Sequence, residues 1–170
     1  VTELAPVADG VDHPLDPRVV PLQKTVGWIL AACMSAGLLV GLFVLWLANG
    51  PTMLRFTASA TIWMFSALAF TWHLQRWPAI AYRHTSYRVD DRGIEIRRGV
   101  YWRSIVNVPR SRVQHTDVSQ GPLERGYGLG TLVVHTAGTD HARVHLSGLD
   151  HAIALRIREH LLPGAASDAV

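Results

Sequence analysis

The sequence is short of three things: cysteine, lysine and, over two long stretches, charge. Cys33 is the single cysteine of 170 residues, which excludes a disulfide or a thiolate metal cluster within one chain and leaves it to pack as a small hydrophobe. Between Tyr82 and Leu162 there is no lysine at all, so the positive charge there rests on twelve arginines against eight acids. No internal repeat is visible, which excludes solenoids and propellers.

Charge is absent from "TVGWILAACMSAGLLVGLFVLWLA" (25–48) and from "FTASATIWMFSALAFTWHLQ" (56–75). A helix needs about 20 apolar residues to cross the hydrocarbon core, because no backbone hydrogen bond can be left open there. Both runs reach that length, and Trp28, Trp46, Trp72 and Trp77 stand near their ends, where indole rings favour the interface. "NGPTMLR" (49–55) is short enough to make the two helices an antiparallel hairpin. The remaining chain is too small to bury both runs as core helices.

Arg18 and Lys24 precede the first run, Arg76, Arg83 and Arg88 follow the second, and the loop holds only Arg55. The bias places both termini on the cytoplasmic side and the loop outside. The N-terminal residues, with Glu3, Asp9, Asp12 and Asp16, are too acidic for a signal-peptide n-region. "LAAC" (30–33) mimics the end of a lipoprotein signal, but the apolar run continues past Cys33. The chain thus reads as a flexible N-terminal tail (1–21), a transmembrane hairpin (22–78), a mainly β domain (80–162) and a C-terminal tail (163–170).

In the β domain, Ile94 and Ile96 alternate with Glu95 and Arg97, and Asp90, Asp91 and Gly93 supply the preceding turn. "VYWRSIVNV" continues to Pro109, and "VQHTDVS" and "TLVVHT" make two more strands. In "HARVHL", Ala142, Val144 and Leu146 face inward while His141, Arg143 and His145 face outward. Asp150 caps a final helix whose stripe is Ile153, Ile157 and Leu161, stopped by Pro163-Gly164. Its apolar face must cover the open end of the sheet.

The stretch 107–138 resembles the bacterial pleckstrin-homology (PH) domain of the membrane-flanked, YdbS-like type. The resemblance rests on Pro109, Val113 and Gln114, then Ser119, Gln120, Gly121 and Pro122, then Leu123 and Arg125, Gly128 and Gly130, and a strand ending Thr136, Ala137 and Gly138. Two membrane helices ahead of one such domain complete the likeness, over about residues 20–162. It implies an α+β protein of the bacterial inner (plasma) membrane, multi-pass with two helices: a transmembrane helical hairpin followed by a PH-like bent sheet or barrel with a C-terminal capping helix. It implies no reaction, and the motif residues are expected to be mainly structural. Headgroup-gripping PH domains carry Lys and Arg in the first hairpin loop, where "DDRG" (90–93) is short and acidic.

No enzyme emerges from the residues. "GYGLG" (126–130) lacks a following Lys-Ser/Thr and a helix, so it is not a phosphate loop, and no serine sits in a nucleophile elbow. His141 and His145 share a face with His135 within reach, but no local carboxylate or cysteine completes a zinc site, so neither metal nor cofactor is expected. Charge is more informative: a net excess of cations beside the cytoplasmic leaflet is drawn to anionic lipids at about 1 kcal/mol per well-placed residue. Arg76, Arg83 and Arg88 are the expected lipid contacts. Arg97, Arg98, Trp102, Arg103 and Arg125 are the expected docking residues, for a protein partner in an assembly at the membrane or, alternatively, for anionic lipid headgroups. The expected partners are membrane lipids and either another membrane protein with similar domains or a second copy; nucleic acid is not expected, for want of a binding motif.

Overall fold

A computed structural model describes residues 7–49, 53–137 and 143–162. They divide into two units: the chain up to Leu22 together with the chain from Ile80 onward, and Gln23–Ala79.

The larger unit is built on alternation. Among the described residues, β1 (Asp12–Pro14), β2 (Thr85–Asp90), β3 (Gly93–Arg98) and β4 (Ser104–Pro109) form one antiparallel sheet in that order. A second antiparallel sheet holds β5 (Val113–Ser119), β6 (Leu129–Thr136) and β7 (Arg143–Asp150). A 3-10 turn, Arg110–Arg112, joins the sheets. Tyr87 and Val89, Ile94 and Ile96, and Val106 and Val108 point inward from one sheet; Leu132, Val134, Val144 and Leu146 point inward from the other. Period-two side chains on both sheets thereby make one core.

Two helices belong to this unit: α3 (Pro122–Tyr127), between β5 and β6, and the C-terminal α4 (His151–Leu161). The Asp150 carboxylate accepts from the N–H groups of Ala152 (2.9 Å) and Ile153 (3.4 Å), as the expected cap. The buried stripe of α4 is Ala154, Ile157 and Leu161, while Ile153 is only partly buried against the core. The small Ala154 lets the helix lie close to the sheet.

The N-terminal segment departs most from the sequence reading. A flexible tail was expected over 1–21; of this, residues 1–6 lie outside the described residues, and 12–14 form β1, paired with β2 from Asp12↔Arg88 to Pro14↔Ser86. Leu15 and Val19 enter the core, and the His13 ring lies against Tyr87 at 5.8 Å. Arg18 closes the arrangement: its guanidinium donates to Asp16 (2.8 Å), to Asp150 (2.5 Å) and to the Tyr127 carbonyl (3.2 Å). Gly148, at φ +84°, passes so close that a Cβ there would lie 2.7 Å from Val19 Cγ2. The segment is ordered by partners more than 70 residues away, which local composition does not reveal.

The fourth strand is also shorter than expected. It begins at Ser104 rather than Val100, because the chain reverses at Gly99 (φ +124°), where any Cβ would fall 1.8 Å from the Trp102 carbonyl oxygen. Tyr101 and Trp102 therefore ride the turn and not the strand.

The second unit, Gln23–Ala79, holds most of α1 (Val19–Asn49) and α2 (Met53–Arg83), each 31 residues long, about 46 Å at 1.5 Å per residue. The helices start earlier and end later than the expected 22 and 78, α2 continuing through Pro78; residues 50–52 of the expected turn lie outside the described residues. α1 contains a window of mean hydropathy 2.3 and is long and apolar enough to cross a membrane, by length and composition. α2 carries Thr57, Ser59, Thr61, Ser66 and Thr71 along its length. The Thr57 and Thr61 hydroxyls donate back to the carbonyls of Leu54 and Thr57. Gly27 of α1 meets Leu74 of α2, where a Cβ on the glycine would lie 3.3 Å from Leu74 Cβ, and the Gln75 amide donates to the Lys24 carbonyl. Cys33 is exposed along α1.

Candidate functional site

The family-motif residues are absorbed by the fold. Gln120 donates its amide to the Leu129 carbonyl at 2.7 Å. The Glu124 carboxylate accepts from the Gly121 N–H and from the Thr131 hydroxyl, both at 2.8 Å, and Pro122 opens α3 at the first position, where its missing N–H costs nothing. Gly128 ends α3 at φ +68° with Arg18 packed over it, and Gly130 lies against the His151 ring. Pro109 closes β4, Ser119 closes β5, and Gln114 marks a register shift near the start of β5. Gly138 lies outside the described residues.

The charged candidates separate into used and unused cations. Arg88, expected at lipid phosphates, donates to Asp12 at 2.9 Å; Arg97, expected at a docking surface, donates to Glu95 and Asp12, both at 2.6 Å. The Glu95 hydrogen bond, with Asp12 behind it, pushes the Arg97 pKa up. Both arginines are therefore engaged on the outer face of the first sheet, and the acid that engages them comes from the segment expected to be a loose tail. Arg76 lies over the Trp72 ring at 4.3 Å in α2, and Arg83 ends that helix. Arg98 and Arg103 are exposed and hold no ion pair among the described residues. Arg125 is exposed on α3, away in sequence and topology from the β3–β4 turn.

That turn is the most exposed apolar feature of the sheet unit. Trp102 is 91% and Tyr101 81% exposed, with Ile105 at 67% on the adjoining strand. β4 is the terminal strand of its sheet, and its outer edge pairs with no strand among the described residues. A cleft of about 300 Å³ runs beside it, lined by residues 105–109 and by Arg112, Thr136 and Ala137. An edge strand, a neighbouring cleft and a bare tryptophan thus form one continuous surface. By contrast, the Asp90 carboxylate is consumed by the β2–β3 turn, accepting from the N–H groups of Arg92 and Gly93 at 2.9 Å each.

A second cluster lies on the outer face of the other sheet. His115 and His135 are register partners, and Asp117 Oδ2 is 2.9 Å from His115 Nε2 and 3.4 Å from His135 Nε2. The sequence reading instead grouped His135 with His141 and His145. His141 lies outside the described residues, and His145 is opposite Val133 and not in the cluster. The sequence signal that was passed over is His-x-Asp in "VQHTDVS": two residues apart on a strand share a face.

Comparison with known proteins agrees with this architecture. The model of the bacterial PH domain family matches residues 25–165. The chain is 31% identical over 100 residues to the transmembrane protein YdbS of Bacillus subtilis (strain 168), and that stretch covers 59% of this chain and 59% of YdbS. The chain thus matches about three fifths of that relative's length. No solved structure matches. With a family match across most of its length, two packed antiparallel sheets and a C-terminal helix seated on the core, the chain belongs to the bacterial PH domain family, of the YdbS-like type.

Proposed function

We propose that this protein is a non-enzymatic, membrane-anchored docking module. α1 and α2 span a membrane as a hairpin with both termini in the cytoplasm, and the PH-like unit binds a second membrane-anchored chain. Large apolar side chains stand exposed along both helices, among them Phe43, Leu45 and Leu47 in α1 and Ile62, Phe65 and Leu68 in α2. Water does not tolerate so much contiguous apolar surface, and lipid supplies its cover.

The observation that carries the docking role is the joined surface of β4. A free strand edge offers main-chain hydrogen bonds to an extended segment, and the neighbouring cleft takes alternate side chains. Trp, Tyr and Arg at its rim are the residue types that dominate interface energetics. With Arg98, Arg103 and Arg112 along it and no free acid among its lining residues, an acidic extended segment fits best. The expected partner is a membrane protein carrying similar domains, or a second copy of this chain.

A photo-crosslinking residue at position 105 in the full chain, expressed in its membrane, tests this. The expected product is a saturable crosslink to one membrane protein or to a second copy, lost when Trp102 and Arg103 are both replaced by alanine. Crosslinks scattered over many proteins would refute it. A second reading, contact with anionic lipid, is favoured by Arg98 and Arg103 near Trp102, which hold no ion pair among the described residues. It predicts lipid adducts from a probe at position 102 that disappear at high salt.

A further inference from the structure

We propose that His115, Asp117 and His135 form a binding site for a divalent transition metal, zinc above all, on the outer face of the second sheet. The site is set by register and not by sequence proximity. Val113 is buried, yet the next buried position is Thr116, because the register shifts between Val113 and His115. That bulge turns His115 outward onto the face already held by Asp117. Antiparallel pairing then sets His135 of β6 directly opposite His115, with the imidazole rings 5.2 Å apart.

The separations suit one ion. Tetrahedral zinc holds nitrogen and oxygen donors at about 2.0–2.2 Å, which puts neighbouring donors about 3.3–3.6 Å apart. Here the two donor pairs that share Asp117 Oδ2 lie at 2.9 and 3.4 Å, and all three donor atoms fall within 4.8 Å of one another. Capture of an ion needs only small side-chain rotations. Two imidazoles and one carboxylate suit zinc, nickel or copper; calcium and magnesium favour all-oxygen shells. The fourth position faces solvent, open to water or to a donor from a bound molecule. The site shares no residue with the β4 cleft, although Thr136 of that cleft directly follows His135.

The alternative account of the same geometry is a metal-free cross-strand cluster in which one carboxylate oxygen accepts from two imidazole N–H groups. The two separate by experiment. The full chain, purified in detergent through a histidine-free tag, is titrated with Co²⁺, followed by Zn²⁺ displacement and equilibrium dialysis. The expected result is one ion per chain and the strong visible band of tetrahedral Co²⁺, removed by Zn²⁺. Affinity falls at least about tenfold in Asp117→Ala and His135→Ala and is unchanged in His84→Ala, a histidine on another element. Zinc also raises the unfolding temperature of the wild type and of His84→Ala, but not of Asp117→Ala or His135→Ala. All the substituted side chains lie outside the core, and His135→Asn provides a milder replacement should the alanine variant fold poorly. Absence of the band, or binding that survives in the Asp117→Ala/His135→Ala double variant, would overturn the proposal.

Discussion

Replacing Leu15 by alanine separates a core N-terminal segment from a detached tail. Leu15 is 8% exposed, packs with Val19 in the core, and lies against Gly148 of β7. Truncating a buried leucine costs about 2–5 kcal/mol, the upper values coming where the surroundings cannot relax. Leu15 sits at the rim of the core, directly after the three-residue strand β1, so the lower part of that range applies, about 2–3 kcal/mol. Against a typical domain stability of about 5–15 kcal/mol, that is a large fraction. At about 1.4 kcal/mol per tenfold, slow-exchanging amides of β2 and β7 should exchange roughly 30- to 150-fold faster if they exchange by opening of the whole unit. The assay is hydrogen–deuterium exchange on the full chain in detergent, with Leu161→Ala, fully buried on α4, as the reference core truncation. If Leu161→Ala accelerates exchange and Leu15→Ala leaves β2 and β7 as in the wild type, the N-terminal segment is not part of the unit and the reasoning fails.

Two further outcomes follow from the same contacts. Gly148→Ala forces a left-handed residue with a side chain, about 1–2 kcal/mol, and also drives a Cβ into Val19; faster exchange in β7 is expected, and adding Val19→Ala should restore the steric part but not the backbone part. The Arg18 hydrogen bonds hold the Asp16 carboxyl below its usual value of 3.8, and the Val11 N–H, followed by His13, does the same for Asp9. A depressed carboxyl stabilises the fold above about pH 4 and loses that contribution as pH falls through the folded value. Unfolding temperatures between about pH 6 and pH 3 should therefore fall less steeply in Asp16→Asn than in the wild type; parallel curves would remove Asp16 from the acid limb.

Local periodicity made much of this molecule legible. Alternation at Ile94 and Ile96, and at Val144 and Leu146, identified strands and their inward faces, because pleating makes a two-residue period visible in any half-buried strand. Asp150 announced the start of α4, because an N-cap needs only its own next three residues. The glycines and Gln120 of the central motif pointed to structure, and the fold uses them for turns, a helix end and a carbonyl bond. The uncharged run 25–48 declared itself by length alone.

What stayed hidden depended on partners distant in the chain. Nothing in "VDHP" resembles a strand; β1 exists because β2 offers an edge and because Arg88 and Arg97 need an acid that Asp12 supplies. The start of β4 was hidden too: it begins at Ser104, past the turn that the close approach at Gly99 sets. The His115–Asp117–His135 cluster required both a bulge and a cross-strand register, neither of which has a one-dimensional signature. The sequence by itself determined what is periodic or local: the apolar runs, the strand faces, the helix cap and the family. Tertiary structure alone decided which charges are neutralised, which edge is left open and which side chains meet, because those depend on pairing between segments whose separation along the chain carries no information about their distance in space.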